Sequence, residues 1–415
     1  MSDKKFSKDE LVPPKWLNEE FLVKVLKHHE KCDEIQVNEL IISPGTAPGE
    51  HFASIMFKID VSYEFKDTSK GHSKFILKTL PVEEGVKMDF LKDSTAFPTE
   101  IYMYEEILPK MHALLREKGD DTVFAPELVY HTDTPSQVII LKDLTPDGFR
   151  TYENPLEMEA AKVITEKLAK FHACSVFLNE NGTPIDSMTD SYVKPAPGKP
   201  RFADEWMSPG LKLAISHFSK WEGCEKIVEK LIECQKTFAD RFTEVFVEPN
   251  GQAYKVLNHG DFHFKNLMYR NDGKVAQDLL MIDFQFCFFG TPAVDFISML
   301  CQIVDKKVRD THRDEIQALY FETFVATLKL LDFKGKFPTL EDFDNEIKRC
   351  GFLEFALIIC YGAYFYLDWR EADIMAAMET NDPYGPTVPV WEKNEEWKEY
   401  VTKFVEDMIN KGFLD

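Results

Sequence analysis

The sequence predicts an α+β fold with two lobes, in which a β-rich N-terminal lobe precedes a mainly helical C-terminal lobe. Short apolar segments of the strand type are concentrated in the first third of the chain, whereas apolar residues spaced three or four apart dominate after residue 146. The chain has 415 residues, of which 44% are hydrophobic, so it is long enough to bury a core in each of two lobes.

The N-terminal lobe is predicted over residues 36–145, after a helical lead-in over residues 1–35. Its strand-like segments are 40–42, 52–61, 75–79 and 137–141. A helix is predicted over residues 97–116, because apolar residues recur there at intervals of three or four. The polar segment from Asp143 to Gly148 contains proline and glycine, and we place the lobe boundary there.

The C-terminal lobe is predicted over residues 146–415. Periodicity favours helices over residues 156–177, 211–248, 312–332, 342–367 and 393–412. One β segment lies among them, over residues 254–284, with a turn signal at Asn271-Asp272-Gly273. The stretch 178–253 that precedes this segment is interpreted as a substrate-binding insertion.

Charge and composition argue against several classes of protein. The 49 basic and 71 acidic residues give a net charge of −22, which is unfavourable for a general nucleic-acid binder. The eight cysteines include no C-x-x-C pair, as expected of reduced thiols. The N-terminus has no apolar signal segment, and the apolar stretch 352–367 contains Glu354 and is shorter than the ~20 residues of a membrane span. We expect a cytoplasmic protein without a membrane span, and the sequence leaves its oligomeric state open.

The β segment carries the residues with the clearest chemistry. Asp261 follows His259-Gly260, and Asn266 lies five residues further on. If the chain folds back at the turn, Asn266 on one arm comes close to Asp283 on the other. Phosphoryl transfer to a hydroxyl uses an acidic group that accepts the proton and oxygen ligands that hold Mg²⁺ against the nucleotide phosphates. The pattern H-x-D-x-x-x-x-N followed by a strand-borne aspartate is what that mechanism uses.

Other interpretations of this segment are open. His259 and His263 are four residues apart, as in some zinc sites, but no glutamate lies between them and no helical pattern surrounds them. Asp261 and Asn266 are also common turn residues. The joint presence of these residues with the hairpin and Asp283 favours phosphoryl transfer over both alternatives.

Lys78 lies inside the apolar strand that begins at Phe75, where an unpaired ammonium group would be costly. Glu100 opens the following helix and is its expected partner, with nucleotide phosphates as a second source of negative charge. The alternative is a surface lysine at a strand end. Gly45 and Gly49 predict either a phosphate-covering turn or an ordinary hairpin loop, since neither G-x-G-x-x-G nor a Walker sequence is present.

The chain resembles the ecdysteroid kinase-like (CHK-kinase-like) family, which is related to choline kinases and aminoglycoside phosphotransferases within the protein-kinase-like fold. The resemblance spans residues 38–370. The motifs that carry it are Pro44-Gly45-x-x-x-Gly49-Glu50, Phe75-Ile76-Leu77-Lys78, Phe97-x-x-Glu100-x-x-x-Tyr104, Leu141-x-Asp143-Leu144, Leu168-Ala169-x-x-His172, His259-Gly260-Asp261-x-x-x-x-Asn266 and Ile282-Asp283-Phe284-Gln285. The resemblance implies a bilobal protein-kinase-like fold.

The resemblance also implies roles for individual residues. Asp261 would be the catalytic base, and Asn266 and Asp283 would hold magnesium. Lys78, positioned by Glu100, would hold the ATP phosphates. The other residues expected to contribute to nucleotide binding are Gly45, Gly49, Leu141 and Asp143, the last two at a strand end where backbone groups can receive an adenine.

Several positions separate the chain from protein kinases. Gln285 stands where they carry the glycine of D-F-G, and Ala125-Pro126-Glu127 lies upstream of the catalytic loop, where it cannot anchor an activation segment. Lys142 stands where relatives often carry an acid. By resemblance Asp295 braces the catalytic loop, whereas His172 is interpreted as a packed helix histidine.

The sequence therefore predicts an ATP- and Mg²⁺-dependent phosphotransferase that acts on a hydroxyl group of a small molecule. The family implies an ecdysteroid or another lipophilic alcohol. A kinase of a cationic, choline-like or aminoglycoside-like alcohol is an alternative, for which the negative charge and aromatic residues such as Trp206 and Trp369 would be useful. A non-catalytic nucleotide-binding scaffold is a second alternative, and the intact set of site residues argues against it.

The acceptor is expected to contact two segments of the helical lobe, the insertion with its Pro-rich loop 194–200 and the aromatic segment 352–369. The residues proposed to line an apolar cleft are Phe202, Trp206, Met207, Leu211, Leu213, Ile215, Phe218, Tyr361, Tyr364 and Phe365. For any one of them, packing in the core is the alternative.

Overall fold

The structure is a computed structural model, and it describes residues 11–45, 54–81, 94–151, 155–188, 193, 201–246, 254–271, 276–367 and 382–414. The strands are β1 (Ile35–Pro44), β2 (Ile55–Phe65), β3 (Lys70–Thr79), β4 (Leu128–Thr132), β5 (Val138–Lys142), β6 (Arg150–Thr151), β7 (Val256–Asn258), β8 (Leu267–Asn271), β9 (Ala276–Met281) and β10 (Phe288–Gly290). The helices are α1 (Glu19–Glu30), α2 (Ala96–Tyr102), α3 (Leu108–Glu117), α4 (Met158–Glu180), α5 (Ser208–Phe218), α6 (Glu225–Gln235), α7 (Phe238–Phe246), α8 (Ala293–Gln302), α9 (Lys306–Leu330), α10 (Leu340–Arg349), α11 (Gly351–Tyr361), α12 (Val388–Lys393) and α13 (Glu395–Asn410). The predicted α+β class, with a β-sheet N-terminal region and a helical C-terminal region, is confirmed.

The described residues divide into two compact units. One contains the described parts of Met1–Pro109 and Ala125–Arg150. The other contains the described parts of Lys110–Phe124, Thr151–Ala372 and Thr380–Asp415. The domain boundaries that we predict from sequence, at residues 35 and 145, stay predictions, as does the insertion at 178–253.

The N-terminal unit is built on a five-stranded sheet in the order β1-β2-β3-β5-β4. Its neighbouring strands are antiparallel, and the register aligns Phe57 with Leu77 and Leu77 with Ile140. Residues directly opposite each other point to the same face, so these three form one apolar face. Helix α1 covers that face with Phe21, Leu22, Val25 and Leu26, and all of these side chains are buried.

The opposite face of the sheet carries Lys78. This follows from the alternation of side chains along β3, since Leu77 belongs to the face covered by α1. Lys78 is aligned with Met56 on β2 and with Ile139 on β5, so it lies on a central strand between two paired neighbours.

The predicted helix over residues 97–116 forms with an interruption. Helices α2 and α3 are separated by a π-helical turn, Met103–Ile107. Pro109 follows this turn, and because proline has no N–H it cannot continue the backbone hydrogen-bond pattern from the preceding residues. Glu100 lies on α2 and is almost completely buried.

Two of the helices predicted in the C-terminal half are not continuous in the structure. Residues 211–248 contain three helices, α5, α6 and α7, because Gly223 with φ 81° turns the chain out of the helical conformation between the first two. Residues 342–367 contain α10 and α11, separated where Cys350 has ψ 5°, and then a 3₁₀ turn over Gly362–Tyr366. Apolar periodicity continues across both breaks and therefore does not reveal them.

Helix α11 forms much of the core of the second unit. All of its residues from Gly351 to Cys360 are buried except Glu354, which explains the apolar stretch in the sequence. The Glu354 carboxylate accepts a hydrogen bond from the Arg313 guanidinium on α9, so the one acidic residue in the stretch has a cationic partner. None of the helices within the described ranges has the length and apolar character that crossing a membrane requires.

Candidate active site

The loop that carries Asp261 begins where β7 ends. Strand β7 pairs with β10 in an antiparallel ladder that aligns Asn258 with Phe288. Gly260 follows with φ 83°, and a Cβ atom at this position would lie 2.1 Å from the carbonyl oxygen of Phe286. Only glycine fits both the positive φ and this close approach of two backbones. The turn at Gly260 therefore fixes the direction in which Asp261 leaves the strand.

The start of the loop is held by Asp295, near the N-terminus of α8. The Asp295 carboxylate accepts hydrogen bonds from the main-chain N–H groups of His259 at 2.6 Å and Gly260 at 3.1 Å. The side chain is fully buried. In return, the main-chain N–H of Asp295 donates to Asn258 Oδ1 at 3.3 Å. Because hydrogen bonds to a carboxylate are stronger than neutral ones, this contact makes the loop backbone rigid.

A buried chain of hydrogen bonds extends from Asp295 into the helical core. His172 Nε2 lies 3.3 Å from Asp295 Oδ2, and His172 Nδ1 lies 2.6 Å from the Tyr320 hydroxyl oxygen. Burial lowers the pKa of His172, which favours the neutral ring. Since a carboxylate only accepts, Nε2–H donates to Asp295, and Nδ1 accepts from Tyr320. His172 is a buried helix histidine, as predicted, and it also orients the residue that holds the loop.

Asp261 is fixed at both carboxylate oxygens. Asn266 Nδ2 donates to Asp261 Oδ2 at 3.1 Å and to the Asp261 main-chain oxygen at 2.9 Å. His263 Nε2 lies 3.4 Å from Asp261 Oδ1. Burial raises the pKa of Asp261, but the neighbouring His263 and the hydrogen bond from Asn266 outweigh it, so the net pKa is lowered. The carboxylate is therefore charged at neutral pH, in the form that can accept a proton.

Asn266 and Asp283 are brought together by the β8–β9 hairpin. Leu267 and Met281 are paired at the end of this hairpin that lies away from the turn. Next to this pair, the main-chain N–H of Ile282 donates to the Asn266 carbonyl at 3.0 Å. Asp283 follows with φ 67° and ψ 60°, a left-handed conformation that few residues other than glycine adopt. The structure thus places Asn266 beside the segment that carries Asp283, as predicted, although the turn residues 272–275 lie outside the described part of the chain.

The two histidines of the loop have separate partners. His259 Nε2 lies 3.0 Å from the Ile282 carbonyl oxygen and donates to it, whereas His263 faces Asp261. Within the described ranges, no group of three or more His, Cys, Asp or Glu side chains is arranged to hold a metal ion. The oxygen atoms of Asn266 and Asp283 are the kind of ligand that magnesium prefers, and magnesium takes its remaining ligands from phosphates and water. The donor set therefore fits magnesium bound with a nucleotide.

In the N-terminal unit, Lys78 and Glu100 form a buried ion pair. Lys78 Nζ donates to Glu100 Oε2 at 2.6 Å, and the side chains are 7% and 1% exposed. The Lys78 ammonium also lies 5.8 Å from the centre of the Phe97 ring. The pairing expected from the sequence is present. Burying two charges is favourable only when they pair with such geometry. Because Lys78 is buried, the alternative of a surface lysine is wrong.

The remaining predicted nucleotide residues lie in the same unit. Gly45 directly follows β1, and its N–H donates to the Met56 carbonyl at 2.8 Å. Gly49 and Glu50 are outside the described residues. Leu141 is buried in β5. Asp143 is also buried, and its Oδ1 accepts from the main-chain N–H and the hydroxyl of Thr145, each at 2.8 Å. The Asp143 carboxylate therefore stabilises the turn after β5.

The residues proposed to line the acceptor cleft fall into two groups. Met207, Leu211 and Phe218 are completely buried, so for them the core interpretation is correct. The half-buried members are Phe202, Trp206, Leu213, Ile215, Tyr361, Tyr364 and Phe365. The loop 194–200 and Trp369 lie outside the described residues.

Phe365 connects the aromatic segment to the loop that carries Asp261. Its ring centre lies 5.6 Å from that of Phe264, three residues after Asp261. Tyr364, beside it in the chain, packs against Tyr384 at 6.4 Å. The Tyr384 hydroxyl donates to the Trp206 carbonyl. These contacts join members of both predicted segments to the loop.

Three contributors are missed by the sequence interpretation: Tyr384, Tyr320 and the contact of His263 with Asp261. Tyr384 and Tyr320 lie far along the chain from their partners and match no motif. The contact of His263 is predictable, because a histidine two residues after Asp261 is close enough along the chain to reach the Asp261 carboxylate.

Solved structures that match this chain include several kinases of small molecules. The microcompartment-associated aminopropanol kinase is 16% identical with a TM-score of 0.38, and the alignment covers 90% of this chain and 98% of that chain. The GDP complex of wild-type aminoglycoside 2′-phosphotransferase-IIIa is 11% identical with a TM-score of 0.39, covering 94% and 98%. A choline/ethanolamine kinase family protein from Mesorhizobium loti is 12% identical with a TM-score of 0.27, covering 79% and 90%. No curated protein matches the chain.

The sequence profile of one protein family matches most of the chain. The match runs over residues 48–333, which is more than half of the 415 residues and includes Lys78, Glu100, Asp261, Asn266 and Asp283. The resemblance drawn from the motifs is confirmed. The chain belongs to the ecdysteroid kinase-like family.

Proposed function

We propose that this protein is an ATP-dependent phosphotransferase that transfers a phosphoryl group to a hydroxyl of a lipophilic small-molecule alcohol, an ecdysteroid or a molecule of similar character. Family membership supports a phosphotransferase acting on small molecules. The observation that carries the proposal is the loop in which Asn266 Nδ2 donates to Asp261 Oδ2 at 3.1 Å, while the main-chain N–H of Ile282, the residue before Asp283, donates to the Asn266 carbonyl at 3.0 Å.

Asp261 is proposed as the catalytic base. Its carboxylate is charged at neutral pH, and its position is fixed by Asn266 on one oxygen and by His263 near the other. Phosphoryl transfer depends more on the position of the attacking hydroxyl than on strong basicity. A carboxylate with a lowered pKa suits this role, because it can orient the hydroxyl and accept its proton late in the reaction.

Asn266 and Asp283 are proposed as the magnesium ligands. Since the amide nitrogen of Asn266 donates to Asp261, the amide oxygen is the atom left to bind a cation. Magnesium bound there would neutralise charge on the nucleotide phosphates. The protein's own contribution is to hold the two oxygen ligands in place, through the hydrogen bond from Ile282 to Asn266 and the left-handed backbone at Asp283.

Lys78 is proposed to bind the ATP phosphates, with Glu100 fixing the position of its ammonium group. The ion pair is buried, so the lysine is held in one rotamer before nucleotide arrives. Gly45, Gly49, Leu141 and Asp143 stay proposed nucleotide contacts.

The preference for a lipophilic acceptor follows from the aromatic residues near the loop. Phe264, Phe365, Tyr364, Tyr384 and Trp206 form a connected set. Phe264 and Tyr384 are buried, and the other three are half-buried. The hydroxyls of Tyr364 and Tyr384 donate to main-chain carbonyls within the protein, and burial raises the pKa of both groups. The set therefore offers uncharged ring surfaces, which suit an apolar ligand.

The test is a search for the product. Purified protein, ATP and Mg²⁺ are incubated with metabolite extracts separated into lipophilic and cationic polar fractions, and mass spectrometry detects compounds that gain one phosphoryl group. We expect such a product in the lipophilic fraction. A product in the cationic fraction alone would overturn the acceptor class, and its absence from every fraction and every nucleoside triphosphate tried would overturn the phosphotransferase.

A further inference from the structure

Gln285 is the residue of the Ile282-Asp283-Phe284-Gln285 motif that the proposed function does not use. It stands where protein kinases have a glycine, so its side chain is an addition relative to them. The side chain is 8% exposed, although glutamine is usually found on protein surfaces. A buried amide requires hydrogen-bond partners, and one partner of Gln285 is Asp283.

The Gln285 amide bonds to Asp283. Gln285 Nε2 donates to Asp283 Oδ2 at 3.3 Å, across the first turn of the short 3₁₀ segment that begins after Asp283. The acceptor belongs to a residue with φ 67°, so the backbone alone sets the carboxylate in an uncommon direction. A donor on Oδ2 restricts rotation of the carboxylate about its terminal torsion, which is otherwise broad.

We propose that Gln285 is a positioning residue that holds the Asp283 carboxylate in the orientation needed to bind the metal of a metal–nucleotide complex. This inference rests on the proposed function, in which Asp283 is a metal ligand. Asn266 offers a parallel, because its amide is oriented by Asp261 in the same loop. Asn266 donates a side-chain hydrogen bond to Asp261, and Asp283 accepts one from Gln285, so each proposed ligand is held by a residue close in sequence. Such outer partners strongly affect metal affinity.

The experiment measures metal binding rather than turnover. The dissociation constant of Mn²⁺ from the complex of full-length protein with a non-hydrolysable ATP analogue is determined from the EPR signal of free Mn²⁺. Gln285→Leu keeps a buried side chain of similar size but has no donor. It is expected to raise this dissociation constant by about 10-fold, within the range known for loss of an outer partner.

The same substitution in an Asp283→Gly variant distinguishes positioning of the Asp283 carboxylate from packing of the Gln285 side chain. Asp283→Gly removes the carboxylate, and glycine adopts a positive φ without strain. If Gln285 acts only through Asp283, adding Gln285→Leu to Asp283→Gly changes the dissociation constant by less than about twofold. Gln317→Leu is the matched control, because Gln317 Nε2 also donates to an aspartate, Asp344, at 2.5 Å in another part of the unit. It is expected to leave Mn²⁺ binding unchanged.

The outcomes distinguish the inference from the function on which it rests. If Asp283→Gly leaves Mn²⁺ binding unchanged, the proposed metal site is wrong. If Asp283→Gly weakens binding but Gln285→Leu does not, only the role of Gln285 is wrong. An equal effect of Gln285→Leu in both backgrounds also overturns that role, because the effect then does not pass through Asp283.

Discussion

The Lys78 ammonium group lies 2.6 Å from the Glu100 carboxylate, and the two side chains are 7% and 1% exposed. The two residues belong to a central strand and to the helix that follows it, 22 positions apart in the sequence. An ion pair so deeply buried contributes mainly by fixing position, since the loss of solvation offsets much of the attraction between the charges. We therefore expect its removal to lower stability and, with Lys78 in its proposed role, to weaken nucleotide binding.

Glu100→Gln is expected to destabilise the protein. The substitution keeps the shape of the side chain but removes the negative charge paired with the buried Lys78 ammonium group, and breaking a buried ion pair costs about 3–5 kcal/mol. Urea denaturation measures this as a fall in the free energy of unfolding. Lys66→Met is the control, because Lys66 pairs with Glu34 at 2.6 Å on the surface, where an ion pair contributes about 1 kcal/mol or less. Equal effects of the two substitutions would contradict the buried pair.

Gly260→Ala is expected to abolish activity and to destabilise the second unit. The added Cβ atom would lie 2.1 Å from the Phe286 carbonyl oxygen, so the backbone of the catalytic loop has to move. Gly182→Ala is the matched control, since Gly182 has φ 88° with open space around it. That substitution is expected to cost only the strain of positive φ, about 1–2 kcal/mol.

Thermal unfolding and a kinase assay with any identified acceptor measure the two effects. If Gly260→Ala is as active and as stable as Gly182→Ala, the close contact with Phe286 does not shape the loop.

Stability is expected to fall at acidic pH through Glu354. Burial raises the pKa of Glu354, but Arg313, whose guanidinium lies 2.8 Å away, outweighs burial, so the folded-state pKa is below the ordinary value of 4.5. A carboxyl with a depressed folded-state pKa stabilises the protein above the unfolded pKa and loses this effect as pH falls through the folded pKa.

Comparison of wild type with Glu354→Gln tests this dependence. The difference in free energy of unfolding between the two proteins is expected to be constant between pH 6 and pH 7. Both pH values lie above the folded-state pKa of Glu354 and above its unfolded pKa of about 4.5. Below pH 4.5 the difference shrinks. A difference that grows on acidification would show that the sign is wrong.

Phe365→Ala is expected to weaken binding of the acceptor more than binding of ATP. The Phe365 ring contacts Phe264 on the catalytic loop and belongs to the aromatic set proposed to contact the acceptor. Once an acceptor is identified, its KM should rise by about 10-fold with little change in the KM for ATP. The same direction is expected for substitutions of Trp206 or Tyr364. Phe321→Ala, in helix α9, is the control, and a parallel rise in both KM values for Phe365→Ala would contradict the acceptor site.

Much of the candidate site is predictable because its parts are close in sequence. Asp261 and Asn266 share one short loop, and hairpin pairing brings Asn266 to Asp283 from local patterns alone. The Lys78–Glu100 pair follows from the cost of burying an unpaired charge. Strand alternation likewise predicts which face of β3 carries Lys78, once the apolar face is known.

The remaining parts depend on long-range packing that has no local signal. His172 meets Tyr320 across 148 residues, and Tyr384 meets Trp206 across 178. Nothing in the spacing of these residues identifies the partner. Breaks in helices are missed for a related reason, because α10 and α11 share one apolar pattern and only the backbone at Cys350 separates them.

The most direct test of the proposed function is phosphoryl transfer by Asp261→Asn. Asparagine keeps the shape of the side chain but cannot accept the proton of the attacking hydroxyl. With an acceptor identified by mass spectrometry, turnover should fall by about 10²–10⁴-fold, as is typical when a general base is lost, while the dissociation constant of a non-hydrolysable ATP analogue stays within about twofold of wild type. Turnover close to wild type in this variant would contradict the assignment of Asp261 and, with it, the account of the site.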